Sequence, residues 1–173
     1  MGKATEQESK TAAGVRDLAL SYLGQGKTET AEKLLRELLA LHPRDVQGLR
    51  LLALILQSQQ RSEEAIAALL KAISLAPDAA HVHADLAALY RSLSRPAEAE
   101  VAMRAALRIE PSMSAGWRLL ADVLVDLDRL PEAGQAYERA NQCDPYRPEL
   151  ARAGEHLARQ EPQQAEQVFR EVL

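Results

Sequence analysis

Hydrophobic residues return along the chain in steps of three and four, the spacing that places side chains on one face of an α-helix. Residues 114–147 show this most clearly, with one group at Trp117, Leu120, Ala121 and Leu124 and a second at Ala133, Tyr137 and Ala140. A polar segment, Asp126 to Pro131, separates the two groups. The pattern predicts two amphipathic helices joined by a short turn.

The same pattern repeats at intervals of 34 residues. Prolines fall at Pro43, Pro77, Pro111 and Pro145, and alanines fall at Ala31, Ala65, Ala99 and Ala133. Proline cannot continue a helix and restrains the residue before it, so each of these prolines is expected to follow the end of a second helix. Two residue types that hold one period over four units indicate an internal repeat.

This repeat resembles the tetratricopeptide repeat, whose pattern is W-x2-L-G-x2-Y, then A-x3-F, then P. The resemblance extends over residues 12–147, with alanine in place of the usual glycine in all four first helices. It implies an all-α protein, a right-handed α-solenoid of antiparallel helix hairpins. The four regular repeats are predicted at 12–45, 46–79, 80–113 and 114–147.

The two ends of the chain depart from the repeat. Residues 1–11 are polar and lack the apolar segment of a signal peptide, so we expect a flexible N-terminal tail. Residues 148–173 predict an irregular fifth helical pair whose apolar stripe continues through Phe169, Val172 and Leu173. Because a solenoid usually ends in a polar capping face, we expect either a longer natural chain, the favoured interpretation, or self-association through these three residues.

Composition and charge narrow the possible partners. Aromatic residues make up only 3% of the chain, so the core must consist mainly of leucine and alanine. The net charge is −4, without the basic excess that nucleic-acid binding requires. No apolar run approaches the roughly 18 residues of a membrane-spanning helix. We therefore expect a cytoplasmic protein that binds neither nucleic acid nor membrane.

Residues with catalytic or metal-binding chemistry do not form a recognisable motif. His81 and His83 are two residues apart and would point away from each other on a helix. The sequence contains neither a glycine-rich phosphate loop after a strand nor a nucleophile elbow. We expect no enzymatic activity, no metal and no cofactor.

The resemblance to tetratricopeptide repeats implies a concave groove lined by the first helices. The residues expected in this groove are Arg16, Leu20, Arg50, Leu54, Gln57, His81, Ala88, Arg91, Arg118 and Asp122. Arg16, Arg50 and Arg118 share one repeat position, and guanidinium groups suit carboxylates. We therefore predict a peptide partner with acidic and apolar residues, its acids nearest Arg16 and Arg50.

Three functional hypotheses follow from the sequence. The first is a protein-interaction scaffold that binds a partner in the groove. The second is an N-terminal accessory region of a longer enzyme, because tetratricopeptide arrays are found fused to sulfotransferases and glycosyltransferases. The third is a homodimer closed by the C-terminal helix. The clamp that one subgroup of the family uses for acidic chaperone tails is not expected, because Asp85 stands where that clamp requires a basic residue.

Overall fold

The computed structural model describes residues 2–144, with side chains from residue 11 onward, and also Gln163, Gln164 and Gln167. Regular structure within residues 2–144 is entirely helical. The eight helices of this range are α1 (Gly2–Gly24), α2 (Thr28–Leu41), α3 (Val46–Ser58), α4 (Ser62–Leu75), α5 (Ala80–Ser92), α6 (Pro96–Ile109), α7 (Ser114–Asp126) and α8 (Leu130–Gln142).

The chain divides into two compact units. The first spans residues 1–111 and contains α1 to α6, and the second begins at Ser112 and contains α7 and α8. In the first unit every helix packs on the next one along the chain, and the first helices α1, α3 and α5 also contact each other in that order. In the second unit α7 packs on α8. The predicted all-α class and the packing of consecutive helices in pairs are confirmed.

Alanines occupy the most crowded positions of both units. The alanines that mark the repeat in the second helices, Ala31, Ala65, Ala99 and Ala133, are all buried, as are those of the first helices, Ala19, Ala53, Ala87 and Ala121. A methyl side chain lets the backbones of two helices approach closely, while larger aliphatic residues fill the remaining space. Leu35, Ile55, Leu89 and Met103 are the largest fully buried side chains of the first unit.

The turns inside the hairpins share one backbone conformation. Gly26, Gln60, Ser94 and Asp128, each one repeat apart, have φ between 56° and 74°. The following N–H returns to a carbonyl in the last turn of the first helix, as Arg61 N–H donates to the Leu56 carbonyl at 2.9 Å. This is the Schellman arrangement, which ends a helix with one left-handed residue. It reverses the chain so that the second helix packs back on the first.

A basic residue directly precedes each second helix. Arg61, Arg95 and Arg129 each pair with the glutamate three residues later, at 2.6 to 2.8 Å. The glutamates lie in the first turns of their helices, where negative charge is favourable. The hydrogen bond from the arginine lowers the pKa of Glu64 and, in the same way, of Glu98.

Arg61 also connects two hairpins. Its Nη1 donates to Glu32 Oε1 on α2 at 2.7 Å, and Gln59 donates to the other oxygen of that carboxylate at 2.8 Å. Burial favours the protonated form of Glu32, but the hydrogen bonds from Gln59 and Arg61 and the charge of Arg36 outweigh it. The pKa of Glu32 is therefore lowered. The residue before α4 is therefore hydrogen-bonded to α2 as well as to α3.

At the N-terminus, α1 begins at Gly2, so residues 2–11 lie in this helix. The flexibility expected of the tail over residues 1–11 stays a prediction from the sequence. The segment contains alanine, glutamate, glutamine and lysine, which have good helix propensity, so the helix extends without requiring an apolar stripe. Apart from three glutamines, the predicted fifth helical pair lies outside the described residues, and so do Phe169, Val172 and Leu173.

Candidate peptide-binding surface

Apolar side chains are exposed at one repeat position along the first helices of the first unit. Leu20 on α1 is 45% exposed and Leu54 on α3 is 49% exposed, and the next residue of this phase is the exposed Ala88 on α5. Single exposed leucines are common, but these residues lie on helices that contact each other. We call the exposed faces of α1, α3 and α5 the first-helix surface.

A pocket of about 280 Å³ opens on this surface between α3 and α5. It brings together four of the residues predicted from the sequence, Arg50, Leu54, Gln57 and Ala88. Leu69 of α4 and Leu89 of α5 also line it, and both are buried core residues. Because Ala88 carries only a methyl group, the α5 side leaves space beside Leu54. We call this cavity the α3–α5 pocket.

Arg50 is held at the edge of the α3–α5 pocket by its own chain. Its Nε donates to Asp85 Oδ2 at 2.6 Å, and its Nη1 donates to Gln47 Oε1 at 2.9 Å. The Gln47 amide nitrogen lies 3.2 Å from Nε2 of His81. Because an amide nitrogen only donates, Nε2 of His81 is the acceptor. A guanidinium group has five N–H donors, so these two bonds orient Arg50 and leave further donors for a ligand.

The other two arginines of this repeat position are also paired with aspartates. Arg16 on α1 binds Asp45, which caps α3 by accepting from the Gly48 N–H at 2.9 Å. In the second unit, Arg118 binds Asp144 at 2.8 Å. A carboxylate of a partner would therefore meet an arginine whose charge is already partly balanced.

The remaining predicted residues occupy different surroundings. Gln57 lines the pocket and approaches Ser92 at 3.5 Å, which is too long for a strong hydrogen bond. Arg91 lies in the last turn of α5. Asp122 belongs to the second unit, where it accepts from the Tyr137 hydroxyl. His81 lies near Arg50, because both side chains contact the Gln47 amide.

Sequence reasoning missed three residues of this surface: Gln47, Asp45 as the partner of Arg16, and Asp85 as the partner of Arg50. The signal was present in the spacing. Asp85 directly follows Ala84, which has the repeat position of Arg50, so placing α3 beside α5 would have brought the two charges together.

The part of the chain that the structure describes has neither a helix that could span a membrane nor a cluster of metal-binding side chains. Within it, no helix has both the length and the apolar character needed to cross a bilayer. Nor do three or more His, Cys, Asp or Glu side chains gather there as a metal site would require.

Comparison with known proteins identifies the repeat. The family model of the tetratricopeptide repeat matches residues 16–80 and 84–148. A crystal structure of MamA is similar to 82% of this chain over 82% of its own, with a TM-score of 0.70 and 18% identity. A MamA double mutant from RS-1 is similar over 93% of this chain and 92% of its own, with a TM-score of 0.69 and 17% identity.

The similarity to MamA from AMB-1 has the higher identity of 25%, over 74% of this chain and 70% of that one, with a TM-score of 0.63. No curated protein matches the chain. The structural matches at 17% and 18% identity establish the fold alone.

Proposed function

Because the chain belongs to the tetratricopeptide repeat family, we propose that it is a protein-interaction scaffold that binds a peptide segment of a partner on the first-helix surface. The observation that carries this proposal is the α3–α5 pocket, where an exposed leucine, Leu54, faces a small residue, Ala88, beside an oriented arginine. A few polar groups around an apolar cavity are typical of binding sites.

The pocket suits an apolar anchor residue of the partner. The side chain would fill the space above Ala88 and contact Leu54, which removes apolar surface of both molecules from water. Gln57 offers an amide that both donates and accepts, which suits a peptide backbone. Since Arg50 is already held by Asp85 and Gln47, little side-chain entropy is lost when it binds a carbonyl or carboxylate of the ligand.

An acidic residue of the partner is a second feature of the proposal. Arg16 and Arg50 each have a neighbouring aspartate, so a change of both arginines to glutamate would leave only negative charge where the acid of the peptide lies. We expect the double change Arg16→Glu and Arg50→Glu to weaken binding sharply. If the double variant binds the peptide as tightly as the unchanged protein, the acids of the peptide do not lie at Arg16 and Arg50.

Peptide selection tests the proposal directly. A random peptide library displayed on phage is selected against the whole protein, and the enriched peptides are measured by isothermal titration on single variants. Leu54→Glu and Ala88→Glu place a charge in the α3–α5 pocket and are expected to weaken binding by about tenfold or more. Leu41→Glu is the matched control, because Leu41 is a leucine of α2 that is 78% exposed and lies outside the pocket.

The outcome that contradicts the proposal is equally specific. Enriched peptides that bind the Leu54→Glu and Ala88→Glu proteins as tightly as the unchanged protein do not use this pocket. The two other hypotheses, an accessory region of a longer enzyme and a homodimer closed by Phe169, Val172 and Leu173, stay predictions from the sequence.

A further inference from the structure

A second apolar pocket lies on the first unit between the second helices α4 and α6, with α5 beneath them. Its volume is about 520 Å³, and no residue lines both this pocket and the α3–α5 pocket. Leu70 of α4 and Val101 of α6 stand at its sides, 47% and 72% exposed. Tyr90 of α5 contributes to its lining. We call it the back pocket.

The repeat itself provides a control for this apolar character. One repeat earlier, between α2 and α4, the positions of Leu70 and Ala105 are occupied by Arg36 and Lys71. Arg36 there reaches across to Glu64 at 3.4 Å, so the corresponding place is bridged by charges. The position of Val101 is Lys33 in the first repeat, and that of Leu70 is Arg104 in the third. The fold therefore accepts charged residues at these positions and does not require the apolar ones.

At one end of the back pocket, one arginine is shared by two glutamates. Arg95 lies over the Tyr90 ring, 4.7 Å from its centre. The same guanidinium pairs with Glu98 at 2.8 Å and with Glu63 at 3.4 Å. With one arginine and two glutamates, this end does not favour an acidic group of a partner.

The other end of the back pocket is basic. Val101, Ala105 and Arg108 follow one another on α6 at spacings of four and three, so Arg108 continues the pocket-lining face by one turn. Arg108 is exposed, and within residues 11–144 no carboxylate pairs with it. His83, at the same end, donates from Nε2 to the Pro77 carbonyl at 2.9 Å. An acidic group would complement Arg108.

We propose that the back pocket binds an amphipathic helix of a partner protein, with its apolar stripe between Leu70 and Val101 and a carboxylate at Arg108. The lining of α6 extends from Ala97 to Ala105, which corresponds to about 12 Å at the rise of an α-helix. That length accepts roughly two helical turns, with apolar side chains at spacings of three and four. The site is independent of the first-helix surface, because different residues form it.

A designed peptide tests this site in the whole protein. The probe is a fluorescent, hydrocarbon-stapled helix of about 15 residues, stapled because free helices of this length are marginal in water. It carries leucines at spacings of four and three and one glutamate at the end of that stripe. Binding is followed by fluorescence anisotropy. The double variant Leu70→Arg, Val101→Lys, which introduces residues that other repeats hold, is expected to weaken binding by about tenfold or more.

A charge exchange separates this site from general hydrophobic binding. Arg108→Glu is expected to weaken binding of the glutamate peptide and to strengthen binding of a matched peptide with lysine at that position. Leu41→Glu is the control and leaves both affinities unchanged, because Leu41 is an exposed leucine of α2 that lines neither pocket.

Three results would overturn the proposal. The first is equal affinity of the peptide for the unchanged protein and the Leu70→Arg, Val101→Lys variant, since the peptide then binds elsewhere. The second is an identical response of the glutamate and lysine peptides to Arg108→Glu. The third is a dimer of the unchanged protein, seen by light scattering, that becomes a monomer in the double variant, because a second copy would then occupy the pocket.

Discussion

At the residue scale, the hairpin turns each contain one residue with a left-handed backbone conformation, which the residue types do not indicate. Only one of the four is a glycine, Gly26, and the others are Gln60, Ser94 and Asp128. A side chain with a Cβ atom is disfavoured in this conformation by roughly 1–2 kcal/mol. The turns persist because the packing of each hairpin and the returning hydrogen bonds over-determine them.

The first prediction follows from this strain. Gln60→Gly and Ser94→Gly are each expected to raise the free energy of unfolding by about 0.5–1 kcal/mol, because relief of strain exceeds the added flexibility of the unfolded chain. Gly26→Ala is expected to lower it by a similar amount. Urea denaturation measures all three. A loss of stability in both glycine variants would contradict the turn geometry.

The charges of the first-helix surface were only partly predictable from the sequence. The sequence assigns Arg16 and Arg50 to one repeat position, because a fixed period places corresponding residues on the same face. Their pairing with Asp45 and Asp85 was missed, because an ion pair depends on which residue of the neighbouring helix lies opposite. The repeat spacing indicates that Asp85 lies near Arg50 on the next first helix, but it does not determine which two side chains form the ion pair.

At the element scale, buried alanines set the distance between helices. Ala65 on α4 is completely buried, whereas Ala67, two residues along the same helix, is exposed. The two residues have equal helix propensity, so they separate packing from propensity.

This contrast gives the second prediction. Ala65→Leu is expected to lower the free energy of unfolding by about 1–3 kcal/mol, because the larger side chain must displace close-packed neighbours. Ala67→Leu, the matched control, is expected to change it by less than about 0.5 kcal/mol. Chemical denaturation followed by circular dichroism provides both values. If Ala65→Leu lowers the free energy of unfolding no more than Ala67→Leu does, the neighbours of Ala65 can move to accommodate the larger side chain.

The third prediction concerns the connection that Arg61 makes between α2 and α4. The pKa values of its partners Glu32 and Glu64 are lowered in the folded protein. The stabilisation is therefore fully present above the unfolded pKa of about 4.3 and is lost as the pH falls through the folded values. Arg61→Gln is expected to destabilise the protein at pH 7 and to have less effect near pH 3.

Urea denaturation at both pH values checks this dependence. Arg44→Gln is the control, because Arg44 is exposed and has no ion pair among residues 11–144, so its effect should not change with pH. A cost of Arg61→Gln that stays constant from pH 7 to pH 3 would show that these carboxylates do not contribute through their charge.

Element boundaries illustrate the limit of sequence reasoning at this scale. The period and the placement of alanine and proline predicted the paired helices, because both are determined by packing. The apolar pattern does not indicate where α1 begins, because residues 2–11 have helix propensity but no apolar pattern. The common turn conformation was not predicted, because Gln60, Ser94 and Asp128 are not glycine, the residue type that usually indicates a positive φ.

At the scale of the whole molecule, the α3–α5 pocket and the back pocket both lie on the first unit and share no lining residue. The α3–α5 pocket lies on the first-helix surface that the sequence predicted. The back pocket was not predicted, because the sequence analysis placed the binding surface on the first helices. Comparing repeat positions reveals it, since Leu70 and Val101 replace the charges found in other repeats.

The central claim is that a partner peptide occupies the α3–α5 pocket. Methyl-resolved NMR of the whole protein, titrated with a peptide enriched on it, tests this claim most directly. We predict that the resonances of Leu54 and Ala88 shift most, while those of Leu70 and Val101 stay unchanged. Saturable binding with unshifted Leu54 and Ala88 would contradict the account.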